Sequence, residues 1–147
     1  MNNILKKEHI CLKLDAKDKK AAIEKLSDML LKTGSLTDKD AFIKDVMDRE
    51  AVSATGIGNG IAIPHGKSVY VSDTTAAIGI LKNPVEWESA DDKLIQFIVL
   101  LAVNENDKGS SHVRLLSQMA RKLASAETCE RLLNAKNEDE IINIFSE

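Results

Sequence analysis

Leu94-Ile-Gln-Phe-Ile-Val-Leu-Leu-Ala-Val103 is a nearly unbroken apolar run of strand length. A strand that faces water on one side alternates apolar and polar residues, whereas a continuous run indicates cover on both faces. The stretch therefore reads as the centre of a sheet with helices on either side. Before it, Thr74 to Leu81 is a second strand candidate, and Asn83-Pro84 marks a turn between the two. After it, Asn104 to Gly109 is a polar loop that leads into a helix from Ser110 or Ser111 to about Ala124. Two short helices follow, Ala126 to Asn134 and Glu138 to Phe145, the last capped by Asn137-Glu-Asp-Glu140.

Upstream, Ile10, Leu12 and Leu14 alternate with Cys11 and Lys13 and read as a first strand. Lys17 to Lys32 reads as a helix, with Ala22, Ile23, Leu26, Met29 and Leu30 in one apolar stripe and Gly34 as its stop. Thr37-Asp-Lys-Asp40 resembles a capping box and starts a second helix through Asp48, with Phe42, Val46 and Met47 inward. A short strand is expected at Ile61–Ile63. No internal repeat, low-complexity tract or linker divides residues 1–147. The expected architecture is a single-domain α/β sandwich, a mixed β-sheet flanked by helices on both faces.

A chain of 147 residues is long enough to bury about 68–70% of its unfolded surface, so it needs no staple. Its net charge of −3 gives no general attraction to nucleic acid or to anionic membranes. Cys11 and Cys129 form no CxxC and suggest neither a disulfide framework nor a zinc site; they suit a reducing cytosol and core packing. The first residues, Met-Asn-Asn-Ile-Leu-Lys-Lys, lack the apolar stretch of a signal peptide, and no run approaches the ~20 residues of a membrane span. A cytoplasmic location is expected, without direct membrane insertion.

The chemistry concentrates in Arg49-Glu-Ala-Val-Ser-Ala-Thr55-Gly-Ile-Gly-Asn-Gly-Ile-Ala-Ile-Pro-His65-Gly66. Glycine lets backbone approach a ligand closely, and proline stiffens the chain just before the imidazole. Neutral imidazole is a good nucleophile near pH 7, because its ordinary pKa of about 6.5 leaves most of it deprotonated there. Phosphoryl transfer needs a nucleophile, donors for the equatorial oxygens and exclusion of water. His65 supplies the first; Thr55 and the N–H groups of the glycine segment, Gly56 among them, can supply the second. Arg49 can clamp phosphoryl oxygens bidentately, although by position alone the better reading is a solvated residue at a helix end. The spacing Gly56-Ile-Gly58-Asn-Gly60 is no nucleotide signature, for it lacks a βαβ context and a Walker lysine. A zinc site at His65 and His112 has no third ligand, and zinc takes three or four from protein. His112 heads the series His112, Leu115, Leu116, Met119 and Leu123, on the apolar face of its helix, where a lone histidine is ordinarily a core residue. His9 belongs to no motif and reads as a surface residue.

The run from Arg49 to Lys67 resembles the active-site signature of the enzyme IIA family of the bacterial phosphoenolpyruvate-dependent sugar phosphotransferase system. The branch is the fructose–mannitol one, which includes the nitrogen-related IIA proteins. Ile10-Cys-Leu-Lys-Leu14, the two helices before Arg49-Glu50, Leu100-Leu-Ala-Val103 and His112-Val-Arg-Leu-Leu116 fall in family order, so the likeness covers essentially the whole chain. One departure is Ser53-Ala54-Thr55, where the family usually reads Gly-Ser-Thr. The resemblance implies that His65 accepts a phosphoryl group from phosphorylated HPr and passes it to a cysteine of a IIB component linked to a membrane IIC component. It also implies a supporting role for His112 beside His65, a clamp role for Arg49, and no cofactor, since the donor is a phosphoprotein. The transport system is expected to be of the fructose type, although the sugar itself never touches this component. The alternative is a nitrogen-related regulatory IIA protein that signals its phosphorylation state by binding other proteins. A sensor fragment of a transcription regulator fits less well, because no helix-turn-helix or basic segment accompanies it.

Overall fold

The apolar run becomes the middle strand of a six-stranded sheet in the computed structural model, which describes residues 4–106 and 111–147, with only the backbone of 111 and 112. In chain order the elements are β1 (Leu5–Leu14), α1 (Lys19–Lys32), α2 (Lys39–Val52), β2 (Gly56–Gly58), β3 (Ile61–Ala62) and β4 (His65–Ser68). Then come β5 (Thr75–Val85), β6 (Ile95–Asn104), α3 (Ser111–Leu123), α4 (Ala126–Leu133) and α5 (Glu138–Ser146). The strand order is β1-β5-β6-β3-β2, with β4 continuing the line of β3 along β6. β1 runs parallel to β5, β5 antiparallel to β6, and β3 and β4 parallel to β6. The sheet is mixed, as expected.

Residues of β6 alternate between two cores. Phe97, Val99, Leu101 and Val103 pack with Met119, Leu123, Leu132, Ile141 and Phe145 of α3, α4 and α5. Ile98, Leu100 and Ala102 pack with Ile23, Leu26, Leu30, Phe42 and Val46 of α1 and α2. Cover on both faces is why the strand shows no polar alternation. The helix starts obey their caps: Asp18 accepts from Ala21 N–H at 2.8 Å, Asp38 from Ala41 at 3.0 Å and Asn137 from Glu140 at 2.9 Å. None of the described helices is long and apolar enough to cross a membrane.

Four local expectations are corrected. β1 begins at Leu5, but a register irregularity between Leu5 and Ile10 hides its periodicity. Asn83-Pro84 does not turn; it lies within the irregular end of β5, past the last β1 pair at Leu81, where a missing N–H breaks no ladder. α2 runs beyond Asp48 to Val52, which puts Arg49 and Glu50 in its final turn. Before β3 stands β2, joined to it by Asn59 and Gly60 at φ +58° and +78°. Positive φ at both central residues is the mark of a type I′ hairpin, which Asn-Gly favours.

His9 is buried completely, not at the surface. Its Nε2 lies 2.6 Å from Thr33 Oγ1, at the C-cap of α1, and its Nδ1 lies 3.2 Å from Thr75 Oγ1. Burial lowers its pKa, against a smaller raising effect of Glu8. The folded chain thus keeps this imidazole neutral where the unfolded chain takes up a proton, so stability rises with pH through that window and is lost on acidification. Urea denaturation should show the parent weakening as pH falls through about 6.5, with a shallower dependence in His9→Gln. Equal dependence in the two proteins would contradict the assignment.

Candidate functional site

The site lies where β4 begins, alongside the last residues of β6, near the C-terminal end of that central strand, the place where open α/β sheets gather ligands. His65 pairs with Leu101, and Leu101 N–H donates to Pro64 O at 2.9 Å. The half-buried His65 ring points Nδ1 at Ile63 O, 3.1 Å away. A carbonyl oxygen can only accept, so the ring proton sits on Nδ1, and in the neutral imidazole Nε2 carries the lone pair. The next residue explains how α2 comes so close. A Cβ on Gly66 would stand 2.8 Å from Val46 Cγ2 and 3.2 Å from Phe42 Cε1, so only glycine lets the helix lie flush on β4.

One turn beyond Val46, Arg49 reaches the same cleft as His65. The cleft has a volume of about 390 Å³. It is lined by Asp45 and Arg49 of α2, His65, Gly66 and Lys67 of β4, Val103 of β6, and Val113 and Leu116 of α3. Arg49 Nη1 donates to Ser53 O at 2.7 Å, which uses one of the donors of its fork and orients the guanidinium from the helix end.

Thr55 and Gly56 do not line this cleft. Thr55 is buried and its hydroxyl donates to Glu50 Oε1, so the expected donation to phosphoryl oxygens is replaced by an internal bond. Gly56 is a packing glycine, since a Cβ there would fall 2.5 Å from Glu88 O and 2.7 Å from Ser89 Cβ. The residue that the sequence pattern does not bring forward is Glu50, whose side chain is only 2% exposed and pairs with Lys19 Nζ at 3.0 Å. Lys19 in turn sits 5.4 Å over the Trp87 ring. The signal for Glu50 was its place in the last turn of a helix, where the macrodipole disfavours negative charge and a carboxylate needs a partner.

His112 falls in the first turn of α3, and its side chain lies outside the described residues. Its companions Leu115, Met119 and Leu123 are buried as the apolar stripe required. Among the described residues no group of three or more His, Cys, Asp or Glu side chains could hold a metal ion. Both cysteines are free thiols; Cys129 is buried, donates to Leu123 O at 3.0 Å and has its pKa raised by burial, which makes it inert.

Fold and site together define a small α/β protein that presents one oriented imidazole beside a guanidinium near the C-terminal end of the central strand. Residues 3–147 match the family described as "Phosphoenolpyruvate-dependent sugar phosphotransferase system, EIIA 2", and the chain belongs to that family. It is 34% identical over 147 residues to the PTS system fructose-specific EIIABC component of Bacillus subtilis. The match covers 100% of this chain but only 23% of that protein, so the chain spans less than a quarter of this relative. The crystal structure of the nitrogen regulatory protein IIA-Ntr from Neisseria meningitidis superimposes with a TM-score of 0.89 at 30% identity, covering 98% of this chain and 97% of the other. The complex of enzyme IIAMTL with phosphorylated enzyme IIBMTL from Escherichia coli gives 0.80 at 23% identity over 97% and 96%, a likeness of fold.

Proposed function

We propose that the chain is a cytoplasmic phosphocarrier: His65 accepts a phosphoryl group from phosphorylated HPr and gives it to a IIB component, coupled through a membrane IIC component to fructose uptake. The observation that carries this reading is the bond from His65 Nδ1–H to Ile63 O, within a cleft shared with Arg49. In the proposed step the Nε2 lone pair forms a bond to phosphorus as the P–N bond of the donor histidine breaks, and the donor ring keeps the released electron pair. In the second step a IIB thiolate takes the group and the P–N bond to His65 breaks. Arg49 holds two of the oxygens while charge spreads over them. The membership in the EIIA 2 family supports the reaction class.

A second reading has its own support in the likeness to IIA-Ntr, which extends over nearly the whole of both chains. In that reading the same phosphorylation reports to a regulatory partner rather than to a transporter. Purified protein should be labelled by phosphoenolpyruvate, enzyme I and HPr in either case. Rapid passage of the label to a fructose IIB supports transport; retention of the label in the presence of IIB supports signalling.

His112, on the first turn of α3, is proposed to support the transfer without carrying the group. His112→Ala should still accept label from HPr and should pass it to IIB more slowly, by roughly 10–1000-fold on the scale of lost active-site donors. Unchanged single-turnover rates in both directions would return it to a packing role.

A further inference from the structure

We propose that Glu50 is a positioning residue for phosphoryl transfer, acting on His65 through the hydrogen-bonded path Glu50–Thr55–Ile63–His65. The proposal rests on the reading of His65 as the nucleophile. Its starting point is a buried carboxylate with no place in the cleft. Glu50 is 5% exposed and stands at the C-terminal end of α2, where desolvation and the helix dipole both oppose its charge. Lys19 Nζ offsets part of that cost at 3.0 Å, and the remaining oxygen accepts from the Thr55 hydroxyl.

The carboxylate fixes Thr55, and Thr55 fixes the backbone that leads into His65. Thr55 O accepts from Ile63 N–H at 3.0 Å, and Ile63 O accepts from His65 Nδ1–H at 3.1 Å. Each residue in the path therefore holds the next, and the last bond decides which ring nitrogen is the nucleophile. A carbonyl displaced by a few tenths of an ångström loses the ring proton as a well-aligned donor, and the imidazole then samples the other tautomer. The same helix turn carries Arg49, whose Nη1 holds Ser53 O at 2.7 Å, two residues before Thr55. Nucleophile and clamp are thus referred to one point on α2, with Lys19 tying that point to α1. A carboxylate placed only for stability would be an odd choice here, because an apolar replacement of similar volume commonly does as well.

The test uses Glu50→Gln, Thr55→Val and Thr55→Ser in the full chain. Thr55→Val keeps the β-branched shape and removes the hydroxyl; Thr55→Ser restores the hydroxyl. Phosphorylation by phosphorylated HPr is measured in single turnovers, and the His65 tautomer is read from its ring ¹⁵N shifts in the unphosphorylated protein. The expected result is a rate lower by about 10–100-fold in Glu50→Gln and Thr55→Val, with half-saturation by HPr unchanged, an Nδ1–H fraction below the parent's, and near-parent values in Thr55→Ser. Should Glu50→Gln fail to fold, Thr55→Val against Thr55→Ser decides alone. Parent-like rates and tautomer in folded variants would overturn the proposal while leaving His65 as the labelled residue. A parent that takes no label on His65 would overturn the reading beneath it, and that outcome is visible before any variant is made.

Discussion

His65→Ala should take up no phosphoryl label when incubated with phosphoenolpyruvate, enzyme I and HPr, whereas the parent should carry one group that is lost in acid and kept in base. The loss is expected to be complete, not partial. The buried His9 spends its ring nitrogens on two threonines and lies on β1 at the far side of β5, away from the cleft. The substitution should leave the fold intact, because β4 is held by backbone pairing with β6 from Leu101 to Asn104 and by the contact of Gly66 with α2. Labelling by mass spectrometry with a thermal melt alongside checks both statements. Full labelling of a folded His65→Ala protein would remove the histidine from the mechanism.

The second large effect is expected at Arg49. A guanidinium offers a planar fork that matches two phosphoryl oxygens, while an ammonium offers a point charge. Arg49→Lys should slow single-turnover transfer from phosphorylated HPr by about tenfold or more, and Arg49→Ala by about 100–1000-fold. Both variants lose the 2.7 Å bond to Ser53 O, which costs about 1 kcal/mol of stability if nothing replaces it. The fold loss is therefore small and similar in the two, and a difference in rate between them reports the phosphoryl group. Equal rates for Arg49→Lys and the parent, or melts that collapse in step with activity, would make Arg49 structural.

The centre of the fold was legible because burial on both faces leaves a direct trace in β6: Phe97 to Val103 contains no polar residue at all. Of the helix starts only Asn137 was legible as a cap. α1 was read from Lys17 although Asp18 caps it, and the box was read from Thr37 although Asp38 accepts from Ala41 N–H, because several polar residues stand together at each start. His65 and Arg49 share one cleft as the motif implied, since Gly66 brings α2 against β4. What failed to show was non-local or irregular. His9 looked like a surface residue because it belongs to no motif and precedes the strand as read from Ile10, while its partners lie 24 and 66 residues away. The extension of α2 past Asp48 was hidden because Asp48-Arg49-Glu50 interrupts the apolar stripe, yet Glu50 is buried by pairing rather than by apolar character. Thr55 was expected to face the phosphoryl group; the carboxylate that claims its hydroxyl lies only 5 residues back, across the end of the helix. The Asn59-Gly60 hairpin is a local signal, masked by the other glycines around it.

The most direct measurement is the site and the ring nitrogen of attachment. Protein labelled with ¹⁵N in its histidines is phosphorylated through HPr, and one-bond coupling between phosphorus and nitrogen is recorded by NMR at mildly alkaline pH. With Nδ1–H committed to Ile63 O, the phosphoryl group is expected on Nε2 of His65, with Nδ1 still protonated and bonded. Phosphorus on Nδ1 of His65, or on any other residue, would contradict it.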